Sequence, residues 1–284
     1  MITILGTGLL GSGFARALRK HGHEVRAWNR TAARALPLAA DGVSCVDDIV
    51  AAVRGAERVH LTLSDDAAVD SVLAAAAPGL EPGALVIDHS TTSTTGALAR
   101  TATWRERGIT YLHAPVFMGP QNALESTGIM MVSGDRDLVA RVTPMLTPMT
   151  GKLVDLGERV DRAAAFKLIG NLLLMALAAG FTDMMTLGAA MSITPIEIRE
   201  LFAFFNPGVT LGGRYTKMSA ADYEPPSWEL AMARKDARLM TEEAARGGVA
   251  LAALPTVIAQ MDAMIARGFG HLDWTVIGKD LVKP

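Results

Sequence analysis

In the run Ala163–Met175, AAAFKLIGNLLLM, one cation interrupts an otherwise apolar sequence: Lys167, followed four residues later by Asn171. Moving a bare ammonium into apolar surroundings is costly, so this lysine must either reach solvent or a partner, or serve chemistry. The i, i+4 spacing puts Lys167 and Asn171 on one face of a helix, where both can address one small molecule. Burial lowers a lysine pKa toward neutrality, which suits proton transfer near pH 7.

A second constellation lies at the start of the chain. The hexapeptide GTGLLG directly follows the apolar run ITIL (2–5), so the glycines at 6, 8 and 11 have G-x-G-x-x-G spacing between a strand and a helix. Gly6 permits the tight turn, Gly8 lets backbone approach a pyrophosphate, and Gly11 allows helix to pack closely on strand. The helix N-terminus then offers amide donors to phosphate. Gly6, Gly8, Leu9, Leu10 and Gly11 are the candidate dinucleotide contacts. At the end of the second strand a carboxylate would bind the ribose hydroxyls of NAD. The residues there are Trp28-Asn29-Arg30-Thr31, with no acid. Arg30 can lie against a 2′-phosphate and the adenine face, while Asn29 and Thr31 supply hydrogen bonds. The cofactor read from these residues is NADP.

These groups need elements to hold them. Up to about residue 156, short apolar runs alternate with helical patterns: ITIL (2–5), EVRAW (24–28), RVHLTL (58–63), ALVID (84–88), TYLH (110–113), IMMVS (129–133) and KLVDL (152–156) read as strands. Helical spacing fills Leu9–His21, Asp65–Ala76 and Ser93–Arg107. Alternation of this kind specifies a doubly wound, largely parallel sheet. After Gly157 strand signals vanish. Residues 160–191 form one proline-free helical stretch, about 45 Å long at 1.5 Å per residue. Thr194-Pro195 then starts a new helix, and further helices are expected at 228–246 and 254–267. The expected fold is an α/β dinucleotide-binding domain over residues 1–157 and an all-helical substrate and dimerisation domain over 158–284, joined by a long interdomain helix. The uncharged run Leu168–Phe181 falls short of the roughly 20 residues of a bilayer span and reads as a buried helix. Its apolar residues (Leu172, Leu173, Leu174, Met175, Leu177, Phe181, Met184, Met185, Leu187) exceed what one small domain covers, which points to a homodimer.

Composition agrees. Of 284 residues half are hydrophobic and 20% charged, which excludes disorder, and a formal charge of −2 offers no basic field for nucleic acid or an anionic membrane. Cys45 is the single cysteine, so a reducing cytoplasm is the natural setting, and no secretory signal is visible. The six histidines (21, 23, 60, 89, 113, 271) lack zinc-type spacing, so no metal is expected.

Taken together, the motifs resemble the β-hydroxyacid dehydrogenase family, which includes 3-hydroxyisobutyrate dehydrogenases, semialdehyde and glyoxylate reductases and, more distantly, 6-phosphogluconate dehydrogenase. GTGLLGSGFARAL with VRAWNRT is similar to its cofactor motif. IDHSTTS (87–93) is similar to its Asp-x-Ser-Thr loop, HAPVFMG (113–119) to its substrate loop and FKLIGN (166–171) to its Lys-x-x-x-Asn motif. RKDARLM (234–240) and GHLDW (270–274) resemble two later segments. The resemblance implies a Rossmann domain followed by a helical domain, with the active site in the cleft between them. It implies that Lys167 is general acid in carbonyl reduction and base in the reverse direction, with Asn171 orienting the substrate. It further implies that Ser90 and Thr91 lie near nicotinamide or substrate, that Leu63 and Ser64 pass the ribose and nicotinamide side, and that Lys235 reaches the site from a later helix. One departure stands out. The family's substrate loop is Pro-Val-Ser-Gly-Gly, whereas this chain has Pro115-Val116-Phe117-Met118-Gly119. Phe117, Met118 and Gly119 therefore define a pocket for a bulkier or less polar substrate. The first alternative is an NADPH-dependent imine reductase acting on an imine instead of a carbonyl. The second is a non-catalytic NADP-binding protein.

Overall fold

A computed structural model describes residues 1–281. The first part runs β1 (Ile2–Leu5), α1 (Leu9–Lys20), β2 (Val25–Trp28), β3 (Ser44–Cys45), α2 (Ile49–Val53), β4 (Arg58–Leu61), α3 (Asp66–Ala76), β5 (Leu85–Asp88), α4 (Thr94–Glu106) and β6 (Thr110–His113). These strands form one parallel sheet in the order β3-β2-β1-β4-β5-β6. Phe14 and Leu18 of α1 cover one face with Ile4, Ala27 and Ile87, while Val69 and Leu73 of α3 and Trp104 of α4 cover the other with Val59 and Leu61. Burial on both faces is why these strands read as continuous apolar runs. The order reverses between β1 and β4, and in open α/β sheets a ligand crevice lies at the carboxyl ends of the strands at that point.

A separate three-stranded sheet follows, made of β7 (Val116–Phe117), α5 (Pro120–Glu125), β8 (Ile129–Val132), α6 (Arg136–Leu146) and β9 (Lys152–Asp155). β7 is antiparallel to β8, and β8 parallel to β9. The sequence pattern merges these strands with the main sheet and misses β3 and β7, because a two-residue strand carries no periodicity. Only Ala114 and Pro115 link β6 to β7, too few residues for the crossover that a parallel neighbour requires.

The helical part comprises α7 (Arg162–Ala190), α8 (Pro195–Phe204), α9 (Gly208–Ala220), α10 (Leu230–Arg246) and α11 (Leu254–Ala266). Thr194 and Glu197 form a reciprocal capping box at α8. α9 lacks a sequence signal because Gly212 and Gly213 break its pattern. By compactness the chain divides at Leu172/Leu173, inside α7, whereas the sequence pattern changes after Gly157. Within the second unit, Leu230, Ala233, Ala237, Met261 and Met264 make a small core. There the Asp183 carboxylate accepts the amides of Ala252 (2.7 Å), Ala253 (2.9 Å) and Leu254 (2.8 Å), capping α11 from α7.

The reading of Leu168–Phe181 as a buried helix is corrected. Leu172 is 68% exposed and Met175 67%. At 29 residues α7 has the length and apolarity of a membrane span by those two criteria, although Lys167 and Asp183 both fall within it.

Candidate active site

The chain turns sharply after β1. Gly6 has φ +97°, and a Cβ there would stand 2.4 Å from the Thr62 carbonyl oxygen. Thr62 Oγ1 donates to Gly6 O at 2.6 Å and Gly6 N donates to Trp28 O at 2.9 Å, so the turn is held from both neighbouring strands. A Cβ on Gly11 would lie 2.0 Å from Gly6 O, so any side chain would push α1 off the sheet. Gly8 differs: nothing stands within 4 Å of the Cβ it lacks. Beside this open backbone lies a cleft of about 490 Å³ lined by Thr7, Gly8, Leu9, Ser12, Arg16, Arg34 and Gln121, among others. Leu9 is 79% exposed at its rim. Thr7 Oγ1 is buried without a hydrogen-bond partner among the described residues. Open backbone, an orphaned hydroxyl and a helix N-terminus fit a dinucleotide's diphosphate.

Asn29 Oδ1 accepts from Thr7 N (3.0 Å) and its Nδ2 donates to Thr31 O (2.9 Å). Asn29 therefore ties the ends of β1 and β2 together, with one N–H and one lone pair left for a ligand. Arg30 is exposed and forms no ion pair among the described residues, and the same holds for Arg34, whereas Arg16 pairs with Asp41 at 2.7 Å. The sequence reading missed Arg34, which lies four residues after Arg30, at the end of the short 3-10 turn Ala32–Arg34.

The ends of β4 and β5 meet where Leu63 N donates to Ser90 Oγ at 2.9 Å. Ser90 N donates to Asp88 Oδ1 (2.8 Å), and Asp88 Oδ2 accepts from Tyr111 Oη at 2.6 Å. Burial first, and then the Asp88 charge, hold the Tyr111 phenol well above its usual range, so it stays a donor. Thr91 is half-buried, and Ser64 is exposed with its hydroxyl on Asp65.

Lys167 lies in the second turn of α7. That end of the helix is anchored where Ala163 N donates to Ser133 Oγ (3.0 Å), just beyond β8, and where Ala163 and Ala164 are buried. The lysine is half-buried and forms no ion pair among the described residues. Its Nζ lies 4.4 Å from the centroid of the Phe117 ring. The aromatic face favours the ammonium by roughly 0.5–2 kcal/mol. Burial opposes it, and the lysine pKa is lowered from its ordinary value. The ring reaches α7 through a notch: a Cβ on Gly170 would lie 2.3 Å from Phe117 Cζ. A glycine inside a helix costs about 1 kcal/mol against alanine, so its presence one turn after Lys167 was a readable sign of close packing. Asn171 is half-buried, and its side chain makes no hydrogen bond among the described residues. Met118 packs back on the core of the first unit, and Gly119 donates its amide to Asn122 Oδ1 (2.9 Å) at the start of α5. Lys235 belongs to the second unit, on α10, where its ammonium pairs with Asp236 at 2.7 Å.

A glycine turn at the switch point of a parallel sheet, with a lysine unpaired among the described residues in the same unit, has the makings of a dinucleotide-dependent oxidoreductase. The sequence profile for the NAD binding domain of 6-phosphogluconate dehydrogenase matches residues 1–157. A probable 3-hydroxyisobutyrate dehydrogenase of Mycobacterium tuberculosis (strain ATCC 25618 / H37Rv) is 30% identical over 288 residues, covering 97% of this chain and 96% of the relative. Among solved structures, an imine reductase from Myxococcus stipitatus in complex with NADP+ superposes with a TM-score of 0.91 at 18% identity, over 99% of each chain. A reductive aminase from Aspergillus terreus, in complex with NADPH4, cyclohexanone and allyl amine, gives 0.89 at 23% over 99% of this chain and 98% of its own. The chain belongs to the β-hydroxyacid dehydrogenase family, with the NAD-binding domain of 6-phosphogluconate dehydrogenase type, and is an NAD(P)-dependent oxidoreductase.

Proposed function

We propose that the protein transfers hydride between NADP(H) and a small carbonyl compound, with Lys167 giving up the proton on reduction and taking it in reverse. The observation that supports this reading is the half-buried Lys167 ammonium, lowered in pKa by burial and unpaired among the described residues. The bound nicotinamide supplies the hydride. The chain's own residues bind, orient and protonate. In this reading Gly6, Gly8, Leu9, Leu10 and Gly11 hold the diphosphate, with Thr7 Oγ1 completing its bonds there. Arg30 and Arg34 take the 2′-phosphate, shaped by Asn29 and Thr31. Leu63, Ser64, Ser90 and Thr91 border the nicotinamide, Asn171 orients the substrate oxygen, and Phe117, Met118 and Gly119 shape the pocket. Lys235, paired with Asp236, is assigned no role. The exposed apolar residues of α7, together with Phe204 and Val209, are read as a homodimer interface.

A second reading, imine reduction, is favoured by one observation. Phe117 covers Lys167 where the family loop carries serine, so an apolar imine suits this pocket better than a carboxylate-bearing aldehyde. An NADPH-oxidation screen of small aldehydes, keto acids and cyclic imines decides between them. Lys167→Ala should lower turnover of the best carbonyl on the order of 10²–10⁴-fold while NADPH affinity is kept. Lys167→Arg should not rescue it, because a guanidinium holds its proton in this range. If the alanine variant retains near wild-type carbonyl turnover, the dehydrogenase reading is wrong and imine reduction takes first place.

A further inference from the structure

Beneath the candidate site runs a buried file of polar groups that the proposed chemistry does not use. Arg58 Nε lies 3.1 Å from His60 Nε2, His60 Nδ1 lies 2.9 Å from His89 Nε2, and His89 Nδ1 lies 2.7 Å from Ala114 O. Both histidines are almost wholly buried, with ring planes inclined by only 11°. The proton positions follow from the two ends. A carbonyl oxygen only accepts, so His89 Nδ1 carries hydrogen and, in a neutral ring, His89 Nε2 accepts. Arg58 Nε only donates, so His60 Nε2 accepts and His60 Nδ1 donates to His89. Every bond then runs one way, from Arg58 to the Ala114 carbonyl. Burial keeps both rings neutral, as the direction of the file requires.

The acceptor at the end is significant. Ala114 is wholly buried and precedes Pro115, which has no N–H, and Phe117 follows two residues later. The same stretch is fixed elsewhere by Ala114 N on Asp88 O (2.7 Å), Met131 N on Pro115 O (3.0 Å) and the β7–β8 pairing. Among the described residues, the bond to the Ala114 carbonyl is the one in this stretch that depends on a side chain. We infer that His89, its tautomer set through His60 by Arg58, is a positioning residue: by holding Ala114 O it orients the strand that lays Phe117 over Lys167 and into the Gly170 notch. The inference rests on the proposed role of Lys167.

The test uses the full-length chain. His89→Leu removes the bond, and His89→Asn keeps an amide N–H to donate to Ala114 O. Gly170→Ala displaces the Phe117 ring from the other side and leaves the histidines untouched. Competitive acetylation of Lys167 with acetic anhydride across pH, read by peptide mass spectrometry, gives the lysine pKa with no substrate present. Steady-state kinetics give kcat and KM. Both His89→Leu and Gly170→Ala should raise the Lys167 pKa toward its ordinary value, since moving the ring relieves the burial that outweighs its cation–π contact. Turnover should fall on the order of 10–100-fold with the KM for NADPH unchanged, as expected for misplacement near the reacting groups. His89→Asn should restore most of both. If His89→Leu lowers only the melting temperature and leaves the lysine pKa and turnover per folded molecule at wild-type values, the histidine is structural and the inference is overturned. Should His89→Leu not fold, His60→Leu carries the test: an upward shift of the Lys167 pKa supports the relay, and no shift overturns it. If the wild type reduces no carbonyl, the proposed function fails by itself, while the labelling still reports whether His89 controls the shielding of Lys167.

Discussion

The buried histidines make the first unit sensitive to mild acid, by an amount that follows from the structure. His89 falls from an ordinary 6.5 to about 4, first because burial penalises the imidazolium, with the bond to Ala114 and the Asp88 charge opposing only in part. In the unfolded chain the same ring binds a proton near its ordinary value. Between the two values the unfolded state therefore holds more protons, and lowering pH draws the equilibrium toward it. A gap from 6.5 to about 4 removes about 2 kcal/mol by roughly pH 5 and about 3 kcal/mol by roughly pH 4. His60 and His113 are lowered as well, again mainly by burial, so they act in the same direction. Against a total stability of about 5–15 kcal/mol this is a large fraction. Carboxylates do not obscure the window, since unfolded Asp and Glu titrate near 4. Urea unfolding at fixed protein concentration, followed by circular dichroism between about pH 7.5 and 5, should show stability constant at the top and falling below about 6.5. His89→Asn, which cannot titrate, should be less stable at neutral pH but lose about 2 kcal/mol less over the same range. A wild-type profile flat down to about pH 5 would refute the assignment of neutral, buried rings.

Three further outcomes are expected. Wild-type protein should prefer NADPH to NADH, and Arg30→Ala should weaken NADPH binding by about 1.5–3 kcal/mol and NADH binding little, measured by titration with each cofactor; equal use of both cofactors by the wild type contradicts this. The double change Phe117→Ser with Met118→Gly should raise activity on small carboxylate-bearing aldehydes in a variant that still binds NADPH; no gain means that a carboxylate is held elsewhere or is absent from the substrate. Light scattering at micromolar concentration should give at least twice the 30.0 kDa chain mass, and a clean monomer would remove the role assigned to the apolar surface of α7.

What local chemistry dictates was legible in the sequence. The apolar runs that became β1, β2, β4, β5, β6, β8 and β9 are short strands, most of them buried, whose pattern survives in any context. The turn at Gly6 and the close approach at Gly11 follow from glycine's missing Cβ, which the motif spacing announces. Thr194-Pro195 marks the start of α8 because a cap hydroxyl and a ring-locked φ act within one turn of chain. The rest depended on residues distant in sequence meeting in space. No periodicity relates Phe117 to Lys167 and Gly170, or joins Arg58, His60, His89 and Ala114 in one file. The splitting of the sheet into six and three strands turned on the short link at Ala114-Pro115, and the exposure of Leu172 and Met175 is likewise visible only in the folded chain. Helical apolarity alone reports that a surface avoids water; only the tertiary arrangement decides whether this chain covers it.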